Sequence, residues 1–282
     1  MKPTVSVIIP VYNGAATLRA CLASVLAQAY PSFEVIVVDN NSTDTTADII
    51  KSFGDQVRSV FLAKRGRGNA RNAGIAAAHG DSIVFTDCDC IASSDWLACL
   101  VAPLLSSSAS AVTGFHVAAT TDYWARQVQQ RDQIYFDRVR NGEWIHHVDT
   151  KNFAIDGTLM RAMLFNESLQ NMEDYDFCLR LTTAGVPISF APNAVVAHHH
   201  RSSLRAVIAT NLSRGYWIGR VQRMHHSRQI VPPMGESFSL GNAISFPIWL
   251  VGQLVRHPAH FPYLFISEIS WRLGSIWQFF KL

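Results

Sequence analysis

Short apolar runs alternate with helical periods through the first hundred residues, and this alternation constrains the fold more than any other feature of the chain. Val5–Ile9 is a run of mostly β-branched residues closed by Pro10. Residues 15–28 follow with Leu18, Leu22, Val25 and Leu26 at helical spacing. Glu34–Val38 is a second apolar strand, and 43–53 reads as a helix with Ser42, Thr43 and Asp44 as cap candidates. A third strand over 57–62, an Ala-rich helix over 69–79, a fourth strand over 82–86 and a helix over 95–105 complete the series. Strands that are apolar throughout are buried on both faces, so the pattern predicts an α/β fold: a Rossmann-like, mostly parallel sheet with helices on both faces. In such sheets ligands bind just beyond the carboxyl ends of the strands. The residues found there are Asn13, Asp39 to Asp44, and Asp87 to Asp89.

From 110 to 200 the pattern is mixed, with helices expected over 122–140 and 174–185 and a final strand pair over 186–198 broken by Pro192. Beyond 200 the character changes. The expected division is 1–200, the α/β domain, and 201–282, a helical C-terminal region.

Hydrophobic residues make up 49% of the 282 residues, enough for a packed core and against global disorder. Charged residues are only 16%, against about 25% in an average soluble protein, which points to apolar surface covered by a membrane or a partner. The net charge of +3 gives no reason to expect nucleic acid. The five cysteines have no metal-finger spacing and are expected as reduced thiols in the cytosol. Lys2 is followed almost at once by strand-like residues rather than a signal core, so the folded body is expected to start at the N-terminus and stay cytoplasmic.

Five segments could carry chemistry. Asp87 and Asp89, two apart after an apolar strand, would suit a hard cation such as Mg²⁺ or Mn²⁺ shared with a phosphate; the alternative is a solvated acidic loop. Asp39 to Asp44 could accept from a base or a ribose, or simply cap a helix. Glu173, Asp174 and Asp176 open a helix, where the dipole favours acids, yet one of them could be a general base. His198, His199 and His200 follow an apolar strand and offer imidazole ligands. Gly66 and Gly68, with Arg65 and Arg67, could hold phosphate at a helix N-terminus. This last segment follows the third strand rather than the first, which disfavours a dinucleotide fingerprint.

Taken in order, these segments resemble the family 2 glycosyltransferases of the GT-A fold. The matching text is Ser6–Asn13, Val37–Asp44, Arg71–Gly74, Thr86–Asp89, Asn152–Ile155, Phe165–Glu167, Glu173–Asp174 and His198, across about residues 4–200. The resemblance implies an inverting, metal-dependent glycosyltransferase of cell-envelope or surface-polysaccharide synthesis. It would use Mn²⁺ or Mg²⁺ and a UDP-, GDP- or dTDP-sugar donor, with a glycan or lipid-linked hydroxyl as acceptor. Asp174 would be the catalytic base. Pro10, Tyr12, Asn13, Asp39, Asp44, Arg71 and Asp87 would serve the nucleotide sugar. Asp89 and His198 would hold the metal, with His200 as the alternate to His198. Where the family often shows Asp-Asp-Gly-Ser, this chain has Asn40 and Asn41; Asn accepts hydrogen bonds and tolerates left-handed backbone, so the loop geometry should survive.

Two other readings share part of this pattern. A sugar-nucleotide-forming nucleotidyltransferase would need a Gly-rich basic loop after the first strand, which Pro10–Gly14 does not offer. A non-catalytic nucleotide-sugar or glycan-binding module has no use for Asp87, Asp89 and Asp174 together.

The C-terminal region carries six arginines and no acid from Arg201 to Arg228, an uncharged stretch over 237–255, and Trp271 and Trp277 among apolar residues. A basic, aromatic-bearing helical segment suits peripheral contact with the cytoplasmic face of a membrane. The competing expectation is a helical element packed on the catalytic domain or on a second copy of the chain.

Overall fold

A computed structural model of the chain describes residues 4–200, 202–225, 251–252, 254–256 and 258–279. Two compact units emerge, one formed by Met1–Ala119 with Arg138–His199 and the other by Thr120–Asp137 with His200–Leu282.

The first unit is built on a ten-stranded sheet. Its strands are β1 (Val5–Val11), β2 (Phe33–Asp39), β3 (Arg58–Phe61), β4 (Ser82–Thr86), β5 (Cys90–Ala92), β6 (Ala111–Ala118), β7 (Arg140–Asn141), β8 (Trp144–Ile145), β9 (Asn152–Asp156) and β10 (Ile188–His198). The order is β3-β2-β1-β4-β9-β6-β10-β8-β7, with β5 pairing against β10. β3, β2, β1 and β4 run parallel, as do β6 and β10. β9 is antiparallel to both of its neighbours, β4 and β6.

The expected alternation is realised with shifted ends. The helices of this unit are α1 (Leu18–Leu26), α2 (Thr46–Ser52), α3 (Arg67–Ala77), α4 (Trp96–Leu105), α6 (Gly157–Ala162) and α7 (Glu173–Thr183). Pro10 does not close β1, which continues to Val11. The ladder to β4 has already stopped at Ile8, so the N–H that proline lacks is not missed there. Likewise Pro192 does not split a strand pair. β10 is one strand, and its register against β6 slips between Ala191 and Val195. Residues 192–194 form a bulge that absorbs the proline.

Both sheet faces are covered. Leu18 and Leu22 of α1 and Leu97, Leu100 and Val101 of α4 share a core with Val5, Val7 and Ile9. On the other face α3 lies so close that a Cβ at Gly74 would collide with Ile8. Phe165 and Phe177 pack there with ring centroids 4.8 Å apart, and Phe85 stands edge-on to Phe165. This packing carries the N-terminus of α7 toward the end of β4. Asn152, fully buried, ties the far side of the sheet together. Its Nδ2 donates to Phe115 O and Ala194 O, both at 2.7 Å, and its Oδ1 accepts from the Trp96 indole.

The second unit gathers most of α5 (Tyr123–Val139) with α8 (Leu204–His225) and α9 (Phe261–Phe279). α8 and α9 touch through small residues: a Cβ at Gly215 would collide with the Trp271 carbonyl, and one at Gly274 with the Leu212 carbonyl. Asn211 donates to Ser267 across the pair (2.9 Å), and Ser275 donates to Gly215 O (3.0 Å). Among the described residues no helix is long and apolar enough to cross a membrane. Most of the uncharged stretch over 237–255, together with Arg201 and Arg228, lies outside the described residues.

Candidate active site

The loops after β1 and β2 are sewn together. Asn13 sits at φ 50°, a left-handed conformation that Asn tolerates. Its backbone N–H donates to Ser42 Oγ (2.9 Å), and its side-chain oxygen accepts from Thr43 N (2.8 Å). Gly14 N donates to Thr46 Oγ1 (2.9 Å). Asp44 accepts from Ala15 N (3.1 Å) through one oxygen and from Thr46 N (3.0 Å) and the Thr46 hydroxyl through the other. The Thr46 hydroxyl foremost, with these backbone donors, holds the Asp44 carboxyl below the usual carboxylate range. Asp44 is therefore spent on holding the loop. Asp39, buried at the end of β2, accepts from Ser42 N (2.9 Å). Asn40 accepts from Gly66 N (3.0 Å), and Asn41 adopts φ 63°, the left-handed backbone that Asn tolerates. Tyr12 is exposed, with the Arg65 guanidinium 3.5 Å over its ring.

The glycine-rich segment has a packing role. Gly68 faces the Asn166 carbonyl, which a Cβ would meet at 3.0 Å, and Arg67 donates to Asn171 (3.3 Å).

Strand β4 stops at Thr86, so Asp87 and Asp89 belong to the turn into β5 rather than to a strand end. The antiparallel β5–β10 ladder sets His198 opposite Cys90. As a result His198 Nε2 lies 3.5 Å from Asp89 Oδ1, and His199 N donates to Asp89 O (2.9 Å). His200 is directed elsewhere, with its Nε2 3.1 Å from Gln129 Oε1.

Arg71, buried in α3, joins the acidic turn to α7. Its Nη1 donates to Glu173 Oε1 at 2.6 Å, and its Nη2 lies 3.3 Å from Asp87 Oδ1. Burial, only partly offset by Arg71, keeps the Asp87 carboxyl above its ordinary range, and the charge of Asp89 pushes the same way. At Asp89 burial pushes up too, but His198 outweighs it and the carboxyl titrates low. The turn thus holds two acids that repel each other, with an imidazole beside them. The Asp89 carboxylate and the His198 imidazole could share a divalent cation such as Mn²⁺, while Asp87 is engaged by Arg71. The buried Cys90 thiol beside them, its pKa raised by burial, is poorly suited to ligate.

At the start of α7 the three acids differ. Glu173 is buried against Arg71, and Asp176 pairs with Arg180 at 2.9 Å. Asp174 remains half-buried, accepting only its neighbour's N–H, from Tyr175 at 2.8 Å, among the hydrogen bonds described. Burial, then the charge of Glu173, pushes its pKa up to about 6. A carboxylate so placed is tuned toward general-base chemistry near neutral pH.

A second charged group escaped the sequence reading. Asp149 lies 2.6 Å from Lys151 Nζ and 3.2 Å from His116 Nδ1, and the His116 ring is 6.2 Å from that of His198. Burial would raise the Asp149 pKa, but Lys151 and His116 hold it well below the carboxylate range. The only signal was a histidine inside an apolar strand and a charged pair just before one. The five cysteines are unpaired thiols.

Comparison with known proteins gives the family and the fold. The family model described as glycosyl transferase family 2 matches residues 6–164, more than half of the chain. Glycosyltransferase AglE of Haloferax volcanii is 27% identical over 267 residues, which cover 92% of this chain and 84% of that protein. The next relatives match across 23% to 28% of their own length. Among solved structures, mannosyltransferase PcManGT of Pyrobaculum calidifontis, in complex with GDP-Man and Mn²⁺, superposes with a TM-score of 0.73 at 18% identity, covering 100% of this chain and 88% of that one. Glucosyl-3-phosphoglycerate synthase of Mycobacterium tuberculosis, with Mn²⁺, UDP-glucose and phosphoglyceric acid, gives 0.61 at 22% identity, over 79% of this chain and 80% of that one. These likenesses show the GT-A fold.

Proposed function

The chain belongs to glycosyl transferase family 2, and from that premise we propose an inverting, metal-dependent transfer of a sugar from a nucleoside-diphosphate donor to a hydroxyl of a glycan or lipid-linked acceptor. Surface-polysaccharide synthesis is the setting this implies. That it is a glycosyltransferase follows from the family.

The observation that carries the mechanism is the Arg71 bridge, which fixes the start of α7 to the turn bearing Asp87 and Asp89. In this reading Asp174, next to Glu173 at the start of α7, works on the acceptor while the acidic turn works on the donor. Asp174 takes the acceptor hydroxyl proton as the oxygen attacks the anomeric carbon. The new C–O bond forms opposite the breaking one, whose electron pair leaves with the diphosphate oxygen. One displacement inverts the anomeric centre.

Asp89 and His198 are the residues that would hold Mn²⁺ or Mg²⁺, with Asp87 beside them. When bound there, the cation would supply positive charge against the departing diphosphate. The loops of Pro10–Asn13 and Asp39–Asp44 hold the nucleoside, with Asp39 offering a buried acceptor. Arg71 serves this side by fixing Asp87 rather than by reaching for the donor. Residues 1–200 carry donor binding and catalysis, and residues 201–282 contact the membrane surface where a lipid-linked acceptor is presented.

The experiment is a thermal-shift screen of UDP-, GDP- and dTDP-sugars with Mn²⁺, followed by product analysis with the stabilising donor and simple alcohol acceptors. An α-linked donor is expected to yield a β-linked product by NMR. An α-linked product overturns the single displacement. Stabilisation equal with and without Mn²⁺ overturns the metal reading.

A further inference from the structure

Helix α9 turns apolar side chains outward. Its outer side carries Phe265, Leu273 and Trp277, exposed by 43%, 54% and 54%. Its buried side is mixed: Tyr263 and Trp271 lie there with Ser267, Glu268, Ser270, Ser275 and Gln278. Between these, Ile269 and Ile276 are half-buried. A surface helix in water carries polar residues on its outer face.

The interface between α8 and α9 fits the same reading. It is made by glycines at close approach and by side-chain hydrogen bonds, Asn211 to Ser267 and Ser275 to Gly215 O. Helices associate in this way where the surroundings are as apolar as their side chains, because burying leucine then gives no advantage and close backbone contact does. Gly215 and Gly219 stand four apart on α8, the spacing of that close-approach motif.

We propose that α9 lies in the plane of an anionic bilayer, with Phe265, Leu273 and Trp277 inserted among the acyl chains. This rests on the membrane contact proposed above for residues 201–282 and goes beyond it, from touching the headgroups to entering the hydrocarbon. Charge selects a lipid surface over a second copy of the chain. α8 carries Arg205, Arg214, Arg220 and Arg223 and no acid, which complements anionic headgroups. No described helix has the length and apolarity to span, so the helix lies along the leaflet.

The test uses the full chain with phosphatidylglycerol vesicles, with phosphatidylcholine vesicles as a control. Flotation measures contact, and quenching of tryptophan fluorescence by acyl-brominated lipid measures insertion. Binding to the anionic vesicles is expected, with quenching that largely disappears in Trp277→Phe. The triple variant F265S/L273S/W277S should lower the bound fraction about tenfold or more; its circular dichroism and its donor hydrolysis should match the unaltered chain. Flotation without acyl quenching overturns insertion and leaves headgroup contact standing. No flotation with either lipid overturns both. A dimer in light scattering that the triple variant dissociates, with no vesicle binding, reassigns the face to a second copy.

Discussion

Replacing Asp174 with Asn should make the protein more stable and nearly inactive. The Asp174 carboxyl titrates at about 6 against an ordinary value of 3.8, chiefly because it is buried and secondly because of Glu173. The charged form is thus disfavoured in the folded state. A difference of this size corresponds to about 3 kcal/mol at full weight, and the half-exposed position reduces it to roughly 1–2 kcal/mol. Below pH 3.8 the group is neutral both folded and unfolded, so there is no cost. As pH rises from there through 6 the cost develops, and above 7 it is complete. Asn has the same shape and can still accept from Tyr175 N, but it never carries charge. Melting of the two proteins should coincide near pH 4, and the variant should melt about 2–6 °C higher at pH 8. Turnover should fall by on the order of 10²–10⁴, with donor-induced stabilisation preserved. A variant that is equally stable or less stable at pH 8, or one that turns over normally, refutes the reasoning and moves the base to another residue.

In the unaltered enzyme kcat/KM should rise with pH through about 6 and then level off, because Asp174 works only as the carboxylate. Three charged groups face it, Glu173 and Asp149 raising its pKa and Arg71 lowering it, so Glu173→Gln should move that acid limb to lower pH; an unmoved limb would show that Glu173 does not act on the base. The same change leaves the buried Arg71 half-paired and should cost about 3–5 kcal/mol in urea denaturation. Asp89→Ala should abolish the Mn²⁺ dependence of activity and weaken nucleoside-diphosphate binding in calorimetry, and full wild-type activity in EDTA would contradict this. Asn152→Ala removes the partner of the buried Trp96 N–H and of two strand carbonyls. It should destabilise by about 2–4 kcal/mol, and a loss under 1 kcal/mol would mean water replaces it.

Much of the fold could be read because β1, β2 and β4 are buried and write short continuous apolar runs between turn signals, although α4 carries a run just as apolar and β3 is largely exposed. Direction is not written there. Phe153, Ala154 and Ile155 look like any other buried run, and nothing in them says that β9 runs backwards between β4 and β6. Side-chain partnerships across the sheet were equally hidden. Arg71 and Glu173 are 102 residues apart and meet only because α3 and α7 share a face. The carboxylates after β2 and β4 could be found because the strand ends mark where they must lie. The resemblance put His198 first among the three histidines, with His200 as the alternate; spacing alone could not choose between them, and the pairing with β5 sets the His198 imidazole beside Asp89. The outward apolar face of α9 was not legible at all, since a mixture of serines and large apolar residues has no preferred outside until its partner helix is known.

The bulge at residues 192–194 sets how this site responds to changes in length. Upstream, β10 is anchored by the pairing of Ile188 with Ala111; downstream, it delivers His198 opposite Cys90. The three residues between the two registers act as slack in a line. Shortening or lengthening the slack by one residue can be taken up there, leaving Val195 paired with Phe115 and His198 opposite Cys90. The bulge thus uncouples the length of β10 from the placement of its last residue, so the His198 imidazole is positioned by the β5 ladder and not by counting from the start of the strand.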